Sequence, residues 1–157
     1  MIIAVVGGDS SASVLALTRA EAVGAEIARR NCVLICGTRW RDGGGLSRSQ
    51  RSWRDDNRRL ARADNSHMNE YVQIPIVTGV GDARNVIIVS SADAVIALDG
   101  EYGTLSEIAH ALNRGKPIVG MSTWALSKEG REDPPIYRTE DPAEAVRWAI
   151  EAASKGT

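Results

Sequence analysis

The sequence predicts an α/β domain: a Rossmann-like, doubly wound parallel sheet in three α/β/α layers. Three observations carry this expectation. Short, almost continuously apolar runs recur at residues 2–6, 32–36, 94–98 and 117–121, as expected of strands covered on both faces. Segments of helical periodicity stand between them. Glycine-rich turns follow three of the predicted strands, and folds of this class bind ligands beyond the carboxyl ends of their strands.

The length of 157 residues predicts one domain spanning 1–157. A hydrophobic share of 43% and a charged share of 25% are ordinary for a soluble globular protein. The net charge of −1 gives no global field toward nucleic acid or membrane. No apolar run approaches the ~20 residues that span a bilayer. Met1-Ile2-Ile3-Ala4-Val5-Val6 lacks the basic start and small-residue cleavage site of a signal peptide. The expectation is a cytoplasmic protein with neither a membrane nor a nucleic-acid partner. Cys32 and Cys36 lie four apart in a predicted strand, about 13 Å at ~3.3 Å per residue. A disulfide needs Cα atoms within about 7 Å, so both read as reduced core thiols, in keeping with a cytoplasm. His67 and His110 are the two histidines, too few for a His-based zinc site. Glu107 and His110, at i and i+3, are two ligands and do not make a metal site.

The elements follow in order. Residues 2–6 form a buried strand that runs into the turn Gly7-Gly8-Asp9-Ser10-Ser11. Residues 12–30 form a helix with Ala16, Ala20, Val23 and Ile27 on one face. Residues 32–36 are the second strand, ending at Gly37. Residues 71–77 are a strand broken at Pro75 and closed by Thr78-Gly79-Val80-Gly81. Val86, Ile87, Ile88 and Val89 are β-branched and favour a strand by propensity. They stand too close to the strand at Ala94 for a parallel crossover, so a helix over 82–91, N-capped by Asp82, fits better. Residues 94–98 are a buried strand. Residues 103–114 are a helix with Leu105, Ile108, Ala109 and Leu112 on one face and Gly115 as C-cap. Residues 117–121 are the next strand. Asp141-Pro142-Ala143-Glu144 is a capping box with proline at the first helical position. It opens a last helix whose face is Val146, Ala149, Ile150 and Ala153.

Residues 38–64 break the pattern. Eight arginines against four aspartates give the segment a net charge of +4, which leaves −5 for the rest of the chain. Its hydrophobic residues are Trp40, Leu46, Trp53, Leu60, Ala61 and Ala63, too few to pack a face on a sheet. The expectation there is a loop or poorly packed helix, because so little apolar surface does not offset the entropy of ordering. Trp40 and Trp53 offer stacking faces for a nucleic acid, but the aspartates interrupt the basic run and no RNA or DNA motif accompanies it.

Three turns bring candidate phosphate contacts to one edge of the sheet: Gly7, Gly8, Ser10 and Ser11 after the first strand, Gly79 before residue 82, and Gly100, Gly103 and Thr104 after residue 98. Glycine lets backbone approach an anion, and the following helix N-terminus offers free N–H groups with a partial positive charge. A single turn of this kind says little, since every βα unit needs one. Thr104-Leu105-Ser106-Glu107 also reads as a capping box, in which Glu107 merely accepts the Thr104 N–H.

Gly103, Thr104 and Glu107, together with Arg84 on the preceding helix at an interval of 23 residues, match a known pattern. In these residues the chain resembles the superfamily of LONELY GUY phosphoribohydrolases, lysine decarboxylase-like proteins and molybdenum cofactor carrier proteins. That group carries Gly-Gly-x-Gly-Thr-x-x-Glu after a strand and an arginine on the helix before it. Ala83-Arg84-Asn85, Ser91-Ala92-Asp93-Ala94-Val95-Ile96-Ala97 and Gly115-Lys116-Pro117 look most like the carrier-like branch. The resemblance is loose over residues 1–37 and close over 67–124. Two departures stand out. Gly100-Glu101 replaces Gly-Gly and Asp99 replaces a small residue, which adds carboxylates beside an anion site. Residues 38–64 replace a second glycine-rich phosphate loop, of which Gly43-Gly44-Gly45 looks like a remnant. The abrupt Arg- and Trp-rich composition, bounded by family-like sequence, resembles a local reading-frame shift in a GC-rich gene. Resequencing of the coding DNA tests that.

The resemblance implies a phosphate-bearing, nucleotide-like small molecule as ligand, and two classes of function. In one, the N-glycosidic bond of a nucleoside 5'-monophosphate is hydrolysed. Glu107 would then stabilise an oxocarbenium-like sugar and activate water, and Arg84 would hold phosphate or orient Glu107. In the other, the pocket holds molybdenum cofactor, a phosphorylated pterin, without cleaving it, or senses a nucleotide. The implied ligands are therefore a nucleotide, phosphate or molybdopterin, with no cofactor or metal required. It also implies a homodimer or larger homo-oligomer with the site near the interface.

Overall fold

A computed structural model describes residues 1–7, 13–37, 56–58, 74–76, 78–129, 131–132 and 136–156. The apolar runs alternate their side chains between two cores, and that alternation makes the layers. Strand β1 (Ile2–Gly7) sends Ile3 and Val5 to one side and Ala4 and Val6 to the other. Helix α1 (Val14–Arg29) follows, N-capped by Ser13, whose Oγ accepts the Ala16 N–H at 3.1 Å. Its buried Ala16, Ala20, Val23 and Ile27 are the face expected from periodicity. Strand β2 (Val33–Cys36) comes next. Cys32 and Cys36 both face the α1 side and are not bonded to each other.

Strand β3 (Asp56–Arg58) pairs parallel with β2, from Leu34 opposite Asp56 to Cys36 opposite Arg58. Extended backbone at these three residues corrects the expectation of loop or helix there. The remainder of residues 38–64 lies outside the described residues. Strand β4 (Ile74–Pro75) is the edge of the sheet, the place where a proline, lacking an N–H, fits a ladder. A 3-10 turn at Gly81–Ala83 leads into α2 (Arg84–Ser91). The choice of helix over strand for Val86–Val89 holds. The expected Asp82 cap does not, because the 3-10 turn makes Ala83 the N-cap residue and no side chain caps α2.

Strand β5 (Ala94–Leu98) is wholly buried, and α3 (Tyr102–Asn113) and β6 (Ile118–Met121) follow. A small antiparallel pair, β7 (Ser127–Lys128) and β8 (Arg131–Glu132), precedes β9 (Ile136–Arg138), which pairs parallel with β6. These three strands carry no apolar run and were not expected. Helix α4 (Pro142–Lys155) closes the chain, with proline in its first turn and Asp141 Oδ1 accepting the Ala143 N–H at 2.9 Å. The reciprocal half of the capping box is rerouted. Glu144 accepts from the Tyr137 and Thr139 hydroxyls, and the Asp141 N–H goes to Thr139 Oγ1 at 3.2 Å.

Seven of the described strands form one parallel sheet in the order β4-β3-β2-β1-β5-β6-β9. The chain winds outward in both directions from β1 and β5, so the reversal of strand order falls between them. Helices α1 and α4 cover one face through Val23, Ile27, Val146 and Ala149. Helices α2 and α3 cover the other through Ile88, Val89, Ile108 and Ala111. No helix among the described residues is long and apolar enough to cross a membrane.

Candidate functional site

Burying a polar group is costly unless something satisfies it, so the buried polar residues show where the fold departs from mere packing. Among the described residues they are Glu26, Arg84, Asn85, Thr104 and Glu107. Glu26 is held by Arg29 and Arg30, each at 2.6 Å, along α1. The other four occupy the first two turns of α2 and α3, the neighbouring helices of one face, at the C-terminal edge of the sheet. In α3 polar residues take part of the inward stripe that Leu105, Ala109 and Leu112 were expected to fill. Helix α3 buries Thr104, Glu107, Ile108 and Ala111, whereas Ala109 is exposed and Leu105 and Leu112 are half-buried.

Arg84 is 9% exposed. Its Nη1 donates to the Gly81 carbonyl at 3.4 Å, and its buried Nε has no hydrogen-bond partner among the described residues. The side chain passes the end of β2, where a Cβ on Gly37 would stand 3.6 Å from Nε. Glu107 is 7% exposed and acts electrostatically on Arg84, yet no ion pair between them forms within 4 Å among the described residues. Burial pushes the Glu107 carboxyl up to about 7, against the opposing pull of the Arg84 guanidinium. Asn85, beside Arg84 in sequence, donates through Nδ2 to the Gly103 carbonyl at 3.3 Å and ties α2 to α3.

The turn between β5 and α3 is built by left-handed backbone, with φ of +51° at Asp99 and +97° at Gly100. Thr123 Oγ1 pins it by donating to the Asp99 carbonyl at 2.6 Å. Helix α3 begins at Tyr102 with Glu101 as N-cap residue, and no side chain caps it. Thr104 is therefore inside the helix, and the capping-box reading of Thr104 and Glu107 fails on geometry. The uncapped first turn offers its N–H groups to an anion. Above Gly103 there is open space: a Cβ there would meet nothing within 4 Å.

The remaining sequence candidates separate into kinds. Gly7 sits at the end of β1 where a Cβ would lie 2.5 Å from the Leu98 carbonyl oxygen, so strand packing demands glycine there. Gly100 is likewise demanded by Thr104. Gly79 and Gly81, with φ of +65° and +55°, border open space. Gly8, Ser10 and Ser11 lie outside the described residues. The structure thus brings together Arg84, Glu107, Gly103 and Thr104. It adds Asn85 and Gly37, for which sequence reasoning found no role. The signal available for Asn85 was its place next to the arginine at the helix start.

A family model, described as the SLOG cluster4 family, matches residues 1–146. The chain belongs to the SLOG cluster4 family. This SLOG cluster4 protein is similar in structure to the molybdenum cofactor binding protein of Rippkaea orientalis. The TM-score is 0.78 at 29% identity, over 99% of this chain and 97% of that one. It is similar also to the molybdenum cofactor carrier protein of Chlamydomonas reinhardtii, with a TM-score of 0.77 at 26% identity over 98% of each chain. In sequence it is 41% identical over 87 residues to a protein of Archaeoglobus fulgidus. That match spans about half of each chain, 55% of this one and 54% of the other.

Proposed function

We propose that this SLOG cluster4 protein is a carrier that binds molybdenum cofactor, a phosphorylated pterin, and holds it without cleaving it. The observation that carries the reading is Arg84: a guanidinium nine-tenths buried, with Nε unpartnered among the described residues, beside a carboxyl pushed up to about 7. A buried cation without a counter-charge is strongly unfavourable. Glu107 supplies that counter-charge only in part near neutral pH, since its protonated form carries none. An anion entering at the uncapped turn of α3 would complete the site, and the phosphate of the pterin has the right charge. The open space over Gly103 leaves room for its approach. The likeness to two molybdenum-cofactor-binding proteins along the whole chain supports the choice of ligand.

Hydrolysis of a nucleoside 5'-monophosphate is the weaker reading, for the same reason. Stabilising an oxocarbenium-like sugar needs an ionised carboxylate, and burial of Glu107 works against ionisation. A half-protonated Glu107 instead tolerates an anionic ligand at close range. The test is direct. The purified protein is mixed with molybdenum cofactor released from a molybdoenzyme and passed through gel filtration, and molybdenum and pterin should elute with the protein. In parallel, AMP and other nucleoside monophosphates should yield no free base. Failure to retain the cofactor, with adenine released from AMP, would overturn the carrier reading in favour of the hydrolase.

A further inference from the structure

We infer that Asn85 is a positioning residue of this site, bracing the first turn of α3 against Arg84 so that Glu107 and the free N–H groups of α3 keep a fixed place around the ligand. The inference rests on the reading of Arg84 and Glu107 as an anion-binding site. Asn85 is 8% exposed, and its side-chain amide reaches across 18 residues of sequence to the Gly103 carbonyl. In an α-helix a carbonyl accepts the N–H four residues on. The Gly103 carbonyl is therefore the acceptor for the Glu107 N–H within α3. Asn85 thus grips the peptide group that anchors Glu107, and its own backbone neighbour is Arg84.

Apolar contact between α2 and α3 begins a turn farther from the site, at Ile88, Val89, Ile108 and Ala111. Those contacts hold the helices together but leave their first turns to be set by something else. Asn85 is the described side chain that hydrogen-bonds between the two turns. The residue type matters. A carboxylate of the same size would set an oxygen against the Gly103 oxygen and lose the donor. Gly103 itself cannot brace the turn, since it has no side chain and faces open space.

Asn85→Ala and the isosteric, uncharged Asn85→Leu test this together, the second keeping the volume in case the first folds poorly. Two readouts are taken: the carbon-13 NMR titration of the Glu107 carboxyl in the empty protein, and the affinity for inorganic phosphate. Both variants should move the Glu107 midpoint from about 7 toward 4.5 as water enters the loosened turn, and weaken phosphate binding about tenfold or more, the scale of a lost charge-site geometry. A Glu107 midpoint equal to wild type in both variants, whatever their thermal stability, would overturn the inference. Were wild type to bind no phosphate, the anion-site reading would fall, and the Glu107 titration alone would decide the role of Asn85.

Discussion

Gly100 and Thr104 approach so closely that no side chain fits at position 100: a Cβ there would lie 2.2 Å from Thr104 Oγ1. The turn also holds Gly100 at φ +97°, outside the range of L side chains. Three residues on, Gly103 sits in the first turn of α3 with open space above it. The two glycines of one motif therefore do different work. Gly100→Ala should cost well over ~2 kcal/mol, from strain plus overlap. Gly103→Ala should leave stability equal or raise it by ~0.5–1 kcal/mol, as alanine does in a helix. The same methyl stands where a ligand would approach, so cofactor retention should fall at least tenfold. Chemical denaturation and gel-filtration retention measure the two effects.

Glu107 makes stability depend on pH in a direction opposite to that of a paired carboxylate. In the unfolded chain it ionises near 4.5, and in the fold near 7. Between those values the unfolded chain has lost a proton that the fold keeps, so stability falls as pH rises. At ~1.36 kcal/mol per pKa unit the penalty grows to about 3 kcal/mol above neutrality. Glu107→Gln removes the ionisation. It should match wild type near pH 4 and exceed it by about 3 kcal/mol at pH 8. Denaturant melts at the two pH values decide this, and a variant less stable at pH 8 would mean that the carboxylate is paired.

The same residues explain what the sequence made legible. Residues 2–6, 32–36, 94–98 and 117–121 announce themselves because a parallel strand covered on both faces must be apolar along its length. Strand β9 (Ile136–Arg138) is too short to show such a run: Ile136 and Tyr137 pack on opposite faces, Arg138 is exposed, and its identity comes from pairing with Ile118–Gly120. Pattern failed most informatively on α3. Periodicity placed Leu105, Ala109 and Leu112 inward, but Thr104 and Glu107 took that stripe. Local rules break where a site requires polar groups at core positions. Resemblance named Arg84 and Glu107, and periodicity did not. Asn85 entered the resemblance only as part of Ala83-Arg84-Asn85 and without a role, because that role is a bond across 18 residues, fixed only once α2 lies against α3.

Arg84 can be separated from the fold it sits in. Replacing both members of a buried ion pair by apolar side chains is often neutral or stabilising by ~1–4 kcal/mol, and Glu107, with its raised pKa, can follow the loss of Arg84 by keeping its proton. Arg84→Met should therefore melt no lower than wild type while losing retention of the cofactor. Arg84→Lys keeps the charge but lacks the Nε and planar fork that face the site, and should retain cofactor at least tenfold more weakly than wild type. A large loss of stability in Arg84→Met, with binding intact, would assign the arginine to structure.

Anion binding and Glu107 should share one proton. Arg84 lowers the Glu107 pKa, and an anion bound to Arg84 cancels part of that pull. By linkage, binding then favours protonated Glu107, and affinity falls as Glu107 ionises. Sulfate is the clean probe, because it keeps its charge across the range where phosphate titrates. In wild type its dissociation constant should be flat well below pH 7 and rise above it, with a limiting slope of tenfold per pH unit for one linked proton. In Glu107→Gln the same curve should stay flat and lie near the low-pH value of wild type, since glutamine imitates the protonated acid. In Arg84→Met sulfate binding should be lost at every pH. Isothermal titration in buffers of differing ionisation heat would also count the proton, taken up by wild type near pH 7 and by neither variant. A pH dependence that persists unchanged in Glu107→Gln would move the linked group elsewhere in the site.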